Sequence, residues 1–158
     1  MTLKIRRVVT GHDARGRARV AIDELCGNVI SRRPNHASCV VWSTGEFPAD
    51  NGDERDGAAR EVATTDPNGT VFRIVEYRPG VAPRNHRTES IDYAVVLAGE
   101  IDMELEGETV QLRAGDVLVQ RGTVHNWVNR GAEPCVIAFV LVAAKPVERA
   151  GKVLGATG

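Results

Sequence analysis

Apolar and polar residues alternate along much of this chain with a period of two, not the period near 3.6 that marks a helix. Ile101, Met103 and Leu105 alternate with Asp102, Glu104 and Glu106. Beyond the turn at Gly107-Glu108, Val110 and Leu112 alternate with Gln111 and Arg113. That pattern predicts half-buried strands joined by a tight hairpin. Further strand-like runs cover Val71 to Tyr77, Ile91 to Leu97, Val117 to Gln120 and Val136 to Val142. Pro79-Gly80, Gly99 and Ala114-Gly115-Asp116 punctuate them. Upstream, Lys4 to Val9 and Arg17 to Ile22 are β-prone around the polar turn His12-Asp-Ala-Arg-Gly16, and Ser38 to Ser43 is a third short apolar run.

Residues 44–69 break the pattern. Gly45, Pro48, Gly52, Gly57, Pro67 and Gly69 interrupt many charges, so a long loop is expected, with one helical turn near Gly57 to Val62. Such a loop in a compact domain is a lid, an interface arm or disordered. The tail after Ala143 has no strong pattern and is expected to wrap the surface or fray. Successive antiparallel strands with Gly-rich turns predict an all-β sandwich or barrel. We divide the chain into an N-terminal strand-and-loop extension over 1–69, part of the same domain, a barrel over 70–143 and a tail over 144–158.

Composition narrows the function classes. The 158 residues suffice for one core without staples. A net charge of −1 leaves no electrostatic footprint for nucleic acid or an anionic membrane. No apolar run approaches the ~20 residues that span a bilayer, and polar residues follow Met1-Thr-Leu-Lys-Ile-Arg-Arg, so no secretion signal is expected. Cys26, Cys39 and Cys135 are odd in number and widely spaced, which predicts free thiols in a reduced, cytoplasmic chain. A nucleophile elbow, a phosphate-binding glycine loop after a strand and an HExxH helix are all missing.

Two stretches carry candidate chemistry. The first is Gly80-Val-Ala-Pro-Arg-Asn-His86-Arg-Thr88-Glu-Ser-Ile-Asp92-Tyr-Ala-Val-Val-Leu-Ala-Gly99. The second is Gly115-Asp116 followed by Gly122-Thr-Val-His125-Asn-Trp127-Val-Asn129. Together they resemble the two motifs of the cupin superfamily, the first reading G-xxxxx-H-x-H-xxx-E-xxxxxx-G and the second ending G-xx-H-xxx-N. Gly80, His86, Asp92 and Gly99 match the first motif in spacing, and Gly115, Gly122, His125 and Asn129 align with the second. The second motif is one residue short before Gly122 and has Arg121 where Pro is usual. Thr88 stands in place of a second His, and Asp92 in place of Glu. The resemblance covers roughly residues 70–143 and implies a double-stranded β-helix, the cupin or jelly-roll barrel, with the N-terminal strands added to it.

The usual metal site of this family has three His and one carboxylate. Here the resemblance implies His86, Asp92 and His125 around a divalent transition metal, Fe, Mn, Zn or Ni. The competing reading is a pair of buried, hydrogen-bonded His and a strand-start Asp. Thr88 shares parity with His86 and is expected to face the cavity, bonded to water or substrate or simply packed inward. Glu89 has the opposite parity and ranks below Asp92. Trp127 lies two residues after His125 and Asn129 two further, so both are pocket candidates, with core packing as Trp127's alternative. Gln120 and Arg121 are candidates to anchor a carboxylate or carbonyl, Arg121 serving equally as a solvated charge. His12 and His36 are expected in a turn and a loop, Trp42 in a core or interface, and Cys135 as a buried, inert thiol.

Two functions follow from the resemblance. One is a metal-dependent enzyme acting on a small organic acid, enol or polyketide-like molecule by decarboxylation, dioxygenation, dehydration or isomerisation. The other is a non-catalytic module that binds a small molecule with a degraded metal site. The family usually forms dimers, so a homodimer is expected, with the N-terminal strands covering a partner's sheet edge.

Overall fold

In the computed structural model, which describes residues 3–158, the period-two runs become two facing sheets. Five strands make the larger: β3 (His36–Thr44), β4 (Thr70–Tyr77), β5 (Ser90–Ala98), β8 (Val117–Arg121) and β10 (Cys135–Ala143), in the order β3-β4-β10-β5-β8. The smaller sheet joins β6 (Glu100–Glu104), β7 (Thr109–Arg113) and β9 (Asn126–Val128) in the order β7-β6-β9. All neighbours are antiparallel. β6 and β7 form the hairpin read from their alternation, with Gly107 at φ 120° in its turn, a conformation open mainly to glycine.

Register explains which side chains meet inside. One inward row runs Val71, Leu141, Asp92 and Gln120 across β4, β10, β5 and β8. The next runs Arg73, Phe139, Ala94 and Leu118. The first row lays two polar side chains beside two apolar ones at the same depth. Deeper in, Ile137, Val71, Cys135 and Ile101 are almost fully buried, together with Val75, Val96 and Trp127. Burying such an aliphatic side chain is worth roughly 1.5–3 kcal/mol, so the rows fix the register as well as the fold.

The N-terminal region plays two parts. β3 extends the large sheet beside β4. β1 (Arg6–His12) and β2 (Ala18–Leu25) pair with each other in a separate hairpin. Leu3, Ile5, Cys26 and Val29 pack with Ala37, Cys39 and Ile74, covering the outer side of β3 and β4. His36, expected in a loop, instead opens β3 as a buried residue. It follows the Arg33-Pro34-Asn35 turn, where Asn35 takes φ 59°, and the turn delivers it to the strand pointing inward.

The long loop of residues 44–69 is pinned rather than loose. Arg7, 6% exposed, makes a two-pronged contact with Asp56 at 2.6 and 2.8 Å and also meets Glu24. Asp56 caps the single 3-10 turn, Gly57–Ala59, and the Ser43 hydroxyl donates to the Gly57 carbonyl at 2.6 Å. The tail, expected to wrap the surface or fray, forms a hairpin of β11 (Val147–Arg149) and β12 (Lys152–Leu154), after which Thr157 pairs with Arg87 by two backbone hydrogen bonds. Exposed, short strands of low apolar content hide this hairpin from a hydrophobicity reading. No helix among the described residues is long and apolar enough to cross a membrane.

Candidate active site

The first motif leaves β4 through the Pro79-Gly80 turn and runs across the barrel mouth. The second returns beside it. His86 and His125 then meet as an isolated antiparallel bridge, each amide donating to the other's carbonyl at 3.0 Å. The bridge places the two imidazoles side by side, ring centroids 4.3 Å apart and planes tilted by 54°. Each ring is locked the same way: Nδ1 of His86 lies 3.1 Å from the Arg84 carbonyl, and Nδ1 of His125 lies 2.9 Å from the Thr123 carbonyl. A carbonyl only accepts, so each Nδ1 carries the proton and each Nε2 keeps its lone pair toward the cavity. Burial holds the His86 imidazole down to about 4, with a further contribution from His125, and burial also lowers His125. Both rings are therefore neutral at neutral pH.

Thr88, Ser90 and Asp92 share one side of the strand. Ser90 Oγ donates to Asp92 Oδ1 at 2.5 Å, and Thr88 Oγ1 lies 2.8 Å from Ser90 Oγ. Since Ser90 spends its proton on the carboxyl, Thr88 donates in turn to Ser90. Asp92 is 4% exposed and has no cationic partner among the described ion pairs. Burial pushes its carboxyl up to about 6, against the lowering effect of Ser90. A hydroxyl chain thus ends on a carboxyl poised between its two protonation states.

His86, Thr88, Asp92 and His125 line one narrow cavity of about 60 Å³ with Gln120, Trp127, Phe139, Leu141 and Tyr77. Typical small-molecule sites hold roughly 300–1,000 Å³, so this one accepts a small ligand or one end of a larger one. Trp127 serves both wall and core: its ring meets Tyr77 at 5.9 Å and Phe139 and His125 at 5.8 Å. Gln120 Nε2 reaches Met103 Sδ at 3.5 Å, while its buried Oε1 has no partner among the described residues.

Asn129 does not join the cavity. Its amide donates to the Tyr77 and Glu133 carbonyls and its oxygen accepts from Gly131 N. β9 ends at Val128, so the parity linking Asn129 to His125 no longer applies. Asn129 locks the turn that carries the chain into β10. Arg121 is exposed at the end of β8, and His12 is exposed at the end of β1. Trp42 is half-buried against Gly57. Burial pushes the Cys135 thiol up to about 12, so it stays protonated.

The donor set tests the metal that the motifs imply. The two Nε2 atoms meet a metal's requirements: neutral rings, tautomers fixed from behind, lone pairs free. The carboxylate does not complete the set. Among the described residues no three His, Cys, Asp or Glu side chains come together as a metal site, and Asp92 is bonded to Ser90. The chain offers a two-imidazole anchor in place of the two-His, one-carboxylate face.

His36, Arg33, Arg73 and Arg84 also line the cavity; the sequence placed His36 in a loop and gave the three arginines no role. Arg73 carried a signal: it sits between Val71 and Val75, at an inward position of an apolar strand. His36, Arg33 and Arg84 arrive through turns whose geometry no periodicity reports.

Cupin resemblance, barrel topology and paired motifs agree with comparison to known proteins. The family model described as Cupin domain matches residues 73–142. The phomopsin biosynthesis cluster protein C' of Diaporthe leptostromiformis is 41% identical, over 94% of this chain and 84% of its own. The cupin-domain-containing oxidoreductase virC of Hypocrea virens is 36% identical, over 89% of this chain and 77% of its own. Among solved structures, the Schizosaccharomyces pombe Cnp3 cupin domain shares the fold, with a TM-score of 0.53 at 14% identity over 89% of each chain. The chain belongs to the cupin family.

Proposed function

We propose that this cupin is an enzyme that moves a proton on a small organic acid able to enolise, with Asp92 as proton carrier and His86 and His125 as its neutral partners. One observation carries the reading: a buried carboxyl, raised to about 6 and fed by the Thr88–Ser90 hydroxyl chain, lines the same narrow cavity as two imidazoles with free Nε2 lone pairs. A group whose affinity for protons lies near the working pH both takes and returns one efficiently. Asp92 removes the proton next to the carbonyl, the enol oxygen is met by a polar group of the cavity, and Asp92 gives the proton back at the new position. That sequence serves isomerisation directly; when the neighbouring carbon carries a hydroxyl, Asp92 returns the proton to that oxygen instead, the C–O bond breaks, and water leaves. Trp127, Phe139 and Leu141 keep bulk water from the reacting carbon. The relatives' names, a biosynthesis-cluster protein and an oxidoreductase, support a catalytic role over mere carriage.

The paired Nε2 atoms favour a second reading, in which His86 and His125 hold a divalent transition metal. When bound, such an ion supplies Lewis-acid or redox chemistry to a substrate oxygen. The two readings separate by experiment. Proton exchange from D2O into a small oxo acid, lost in Asp92→Asn and indifferent to chelator, supports the first. Exchange that disappears with chelator and returns with added metal overturns it in favour of the second.

A further inference from the structure

The cavity has two chemically distinct ends. Asp92 and Gln120 stand on β5 and β8. Across β10, at the opposite side, stand Arg73 on β4 and His36 on β3. Arg33 enters from the turn before β3 and Arg84 from the first motif, so three guanidinium groups from three segments line one space. None has an Asp or Glu partner among the described ion pairs. Arg33 and Arg73 instead spend part of their forks on neutral backbone oxygens. Arg33 Nε donates to the Ala82 carbonyl at 3.1 Å and Arg73 Nη2 to Ala63 at 2.7 Å. Arg84 donates to the main-chain oxygen of Gly158, the last residue of the sequence, at 3.1 and 3.3 Å and to Thr64 Oγ1 at 3.3 Å. The bonds to Ala82 and Ala63 hold Arg33 and Arg73 in place without neutralising them. Arg73 Nε and His36 Nδ1 are buried and unpartnered among the described residues.

Guanidinium groups gathered in a partly dry space repel one another, and desolvation adds to that cost. Burial lowers both Arg33 and Arg73, and Arg84 contributes to lowering each. His36 is pushed down to about 4, first by burial and then by Arg33, Arg73 and Arg84. A fold that gives Arg33 and Arg73 no ion-pair partner among the described residues leaves room for a ligand's negative charge beside them. Guanidinium forks match a carboxylate in plane and spacing.

We propose that Arg33, Arg73 and Arg84 form the substrate's carboxylate-binding end. Resting on the proton-transfer reading, this assigns both substrate class and orientation: a small monocarboxylate lies across Phe139 with its anion on the arginines and its enolisable carbon toward Asp92. Arg73 and Asp92 lie two strand spacings apart and two residues apart along the sheet, roughly 12 Å of backbone, a span that their side chains shorten. Arg33, Arg73 and Arg84 are positioning residues in this scheme.

Isothermal titration with pyruvate, and with pyruvamide as its uncharged counterpart, tests the assignment in the intact chain. Pyruvate is expected to bind wild type and pyruvamide at least tenfold more weakly. Arg73→Gln and Arg33→Gln are each expected to weaken pyruvate at least tenfold, while Asp92→Asn keeps the affinity. Two substitutions guard against one failing to fold, and thermal melts identify such a case. No pyruvate binding, equal binding of the amide, or unchanged affinity in the folded arginine variants overturns the proposal. Pyruvate binding that depends on the arginines, with no proton exchange on any acid, refutes the catalytic reading and leaves the carboxylate site standing. Exchange indifferent to the arginines does the reverse.

Discussion

Replacing Asp92 by Asn is expected to stabilise this protein and disable it. The carboxyl is 4% exposed and raised from 3.8 to about 6. Each pKa unit corresponds to about 1.36 kcal/mol, so ionised Asp92 costs the folded state about 3 kcal/mol relative to its protonated form. The sign follows from linkage. A carboxyl raised on folding binds its proton more tightly in the native state, so its stabilising effect is complete below 3.8 and is lost as pH rises through about 6. The carboxamide of Asp92→Asn resembles the protonated carboxyl at every pH and still accepts from Ser90 Oγ. The gain over wild type should therefore be close to zero near pH 3.8 and climb to at most about 3 kcal/mol near pH 8, or roughly 6–12 °C in Tm for a chain this size. His86 and His36, both lowered to about 4, destabilise both proteins as pH falls from 6.5 toward 4, and that effect cancels in the difference. Urea unfolding of both proteins in chelator, across this range, measures it. A variant less stable than wild type near pH 8, or a gain independent of pH, would refute the argument that Asp92 is a desolvated, unpaired carboxyl.

Other substitutions probe the turns and the hydroxyl chain. Gly99 has φ 75°, and a Cβ there would overlap the Pro134 carbonyl oxygen and sit 2.9 Å from Cys135 Cα; Gly99→Ala should cost roughly 2–5 kcal/mol in urea unfolding, and an unchanged midpoint would show that the turn relaxes freely. Ser90→Ala removes the hydrogen bond that lowers Asp92, so the carboxyl's titration, followed by NMR, should move to higher pH, and a downward move would contradict its role. Thr88→His adds an imidazole on the cavity side of the His86–His125 pair, so chelator competition should show tighter retention of added Zn²⁺; unchanged or weaker retention would mean Thr88 does not face that pair.

The strands were legible because one face of each is buried and the other is not. Ile101, Met103 and Leu105 announced β6, and the motif spacing brought His86, Thr88, Asp92 and His125 to one mouth. Legibility failed where position depends on a turn or on tertiary pairing. Asn129 looked like a cavity residue because it shares parity with His125, yet β9 is only three residues long and the chain turns before parity reaches it. His36 and Arg33 reach the cavity through the Pro34-Asn35 turn. The tail hairpin has too few apolar residues to register, and only its pairing with Arg87 reveals its place at the mouth. A carboxyl's burial and missing cation, which define Asp92's chemistry, depend on neighbours from other strands of the sheet and are absent from any local pattern.

Proton transfer through Asp92 is best tested by proton NMR of small 2-oxo and 3-oxo acids, pyruvate first, in D2O near neutral pH with chelator present. Wild-type protein is expected to wash deuterium into the carbon beside the carbonyl at least about 100-fold faster than Asp92→Asn, the scale of a lost general base. Exchange no faster than buffer for every acid, or equal exchange in Asp92→Asn, would contradict the claim that this cavity transfers protons through Asp92.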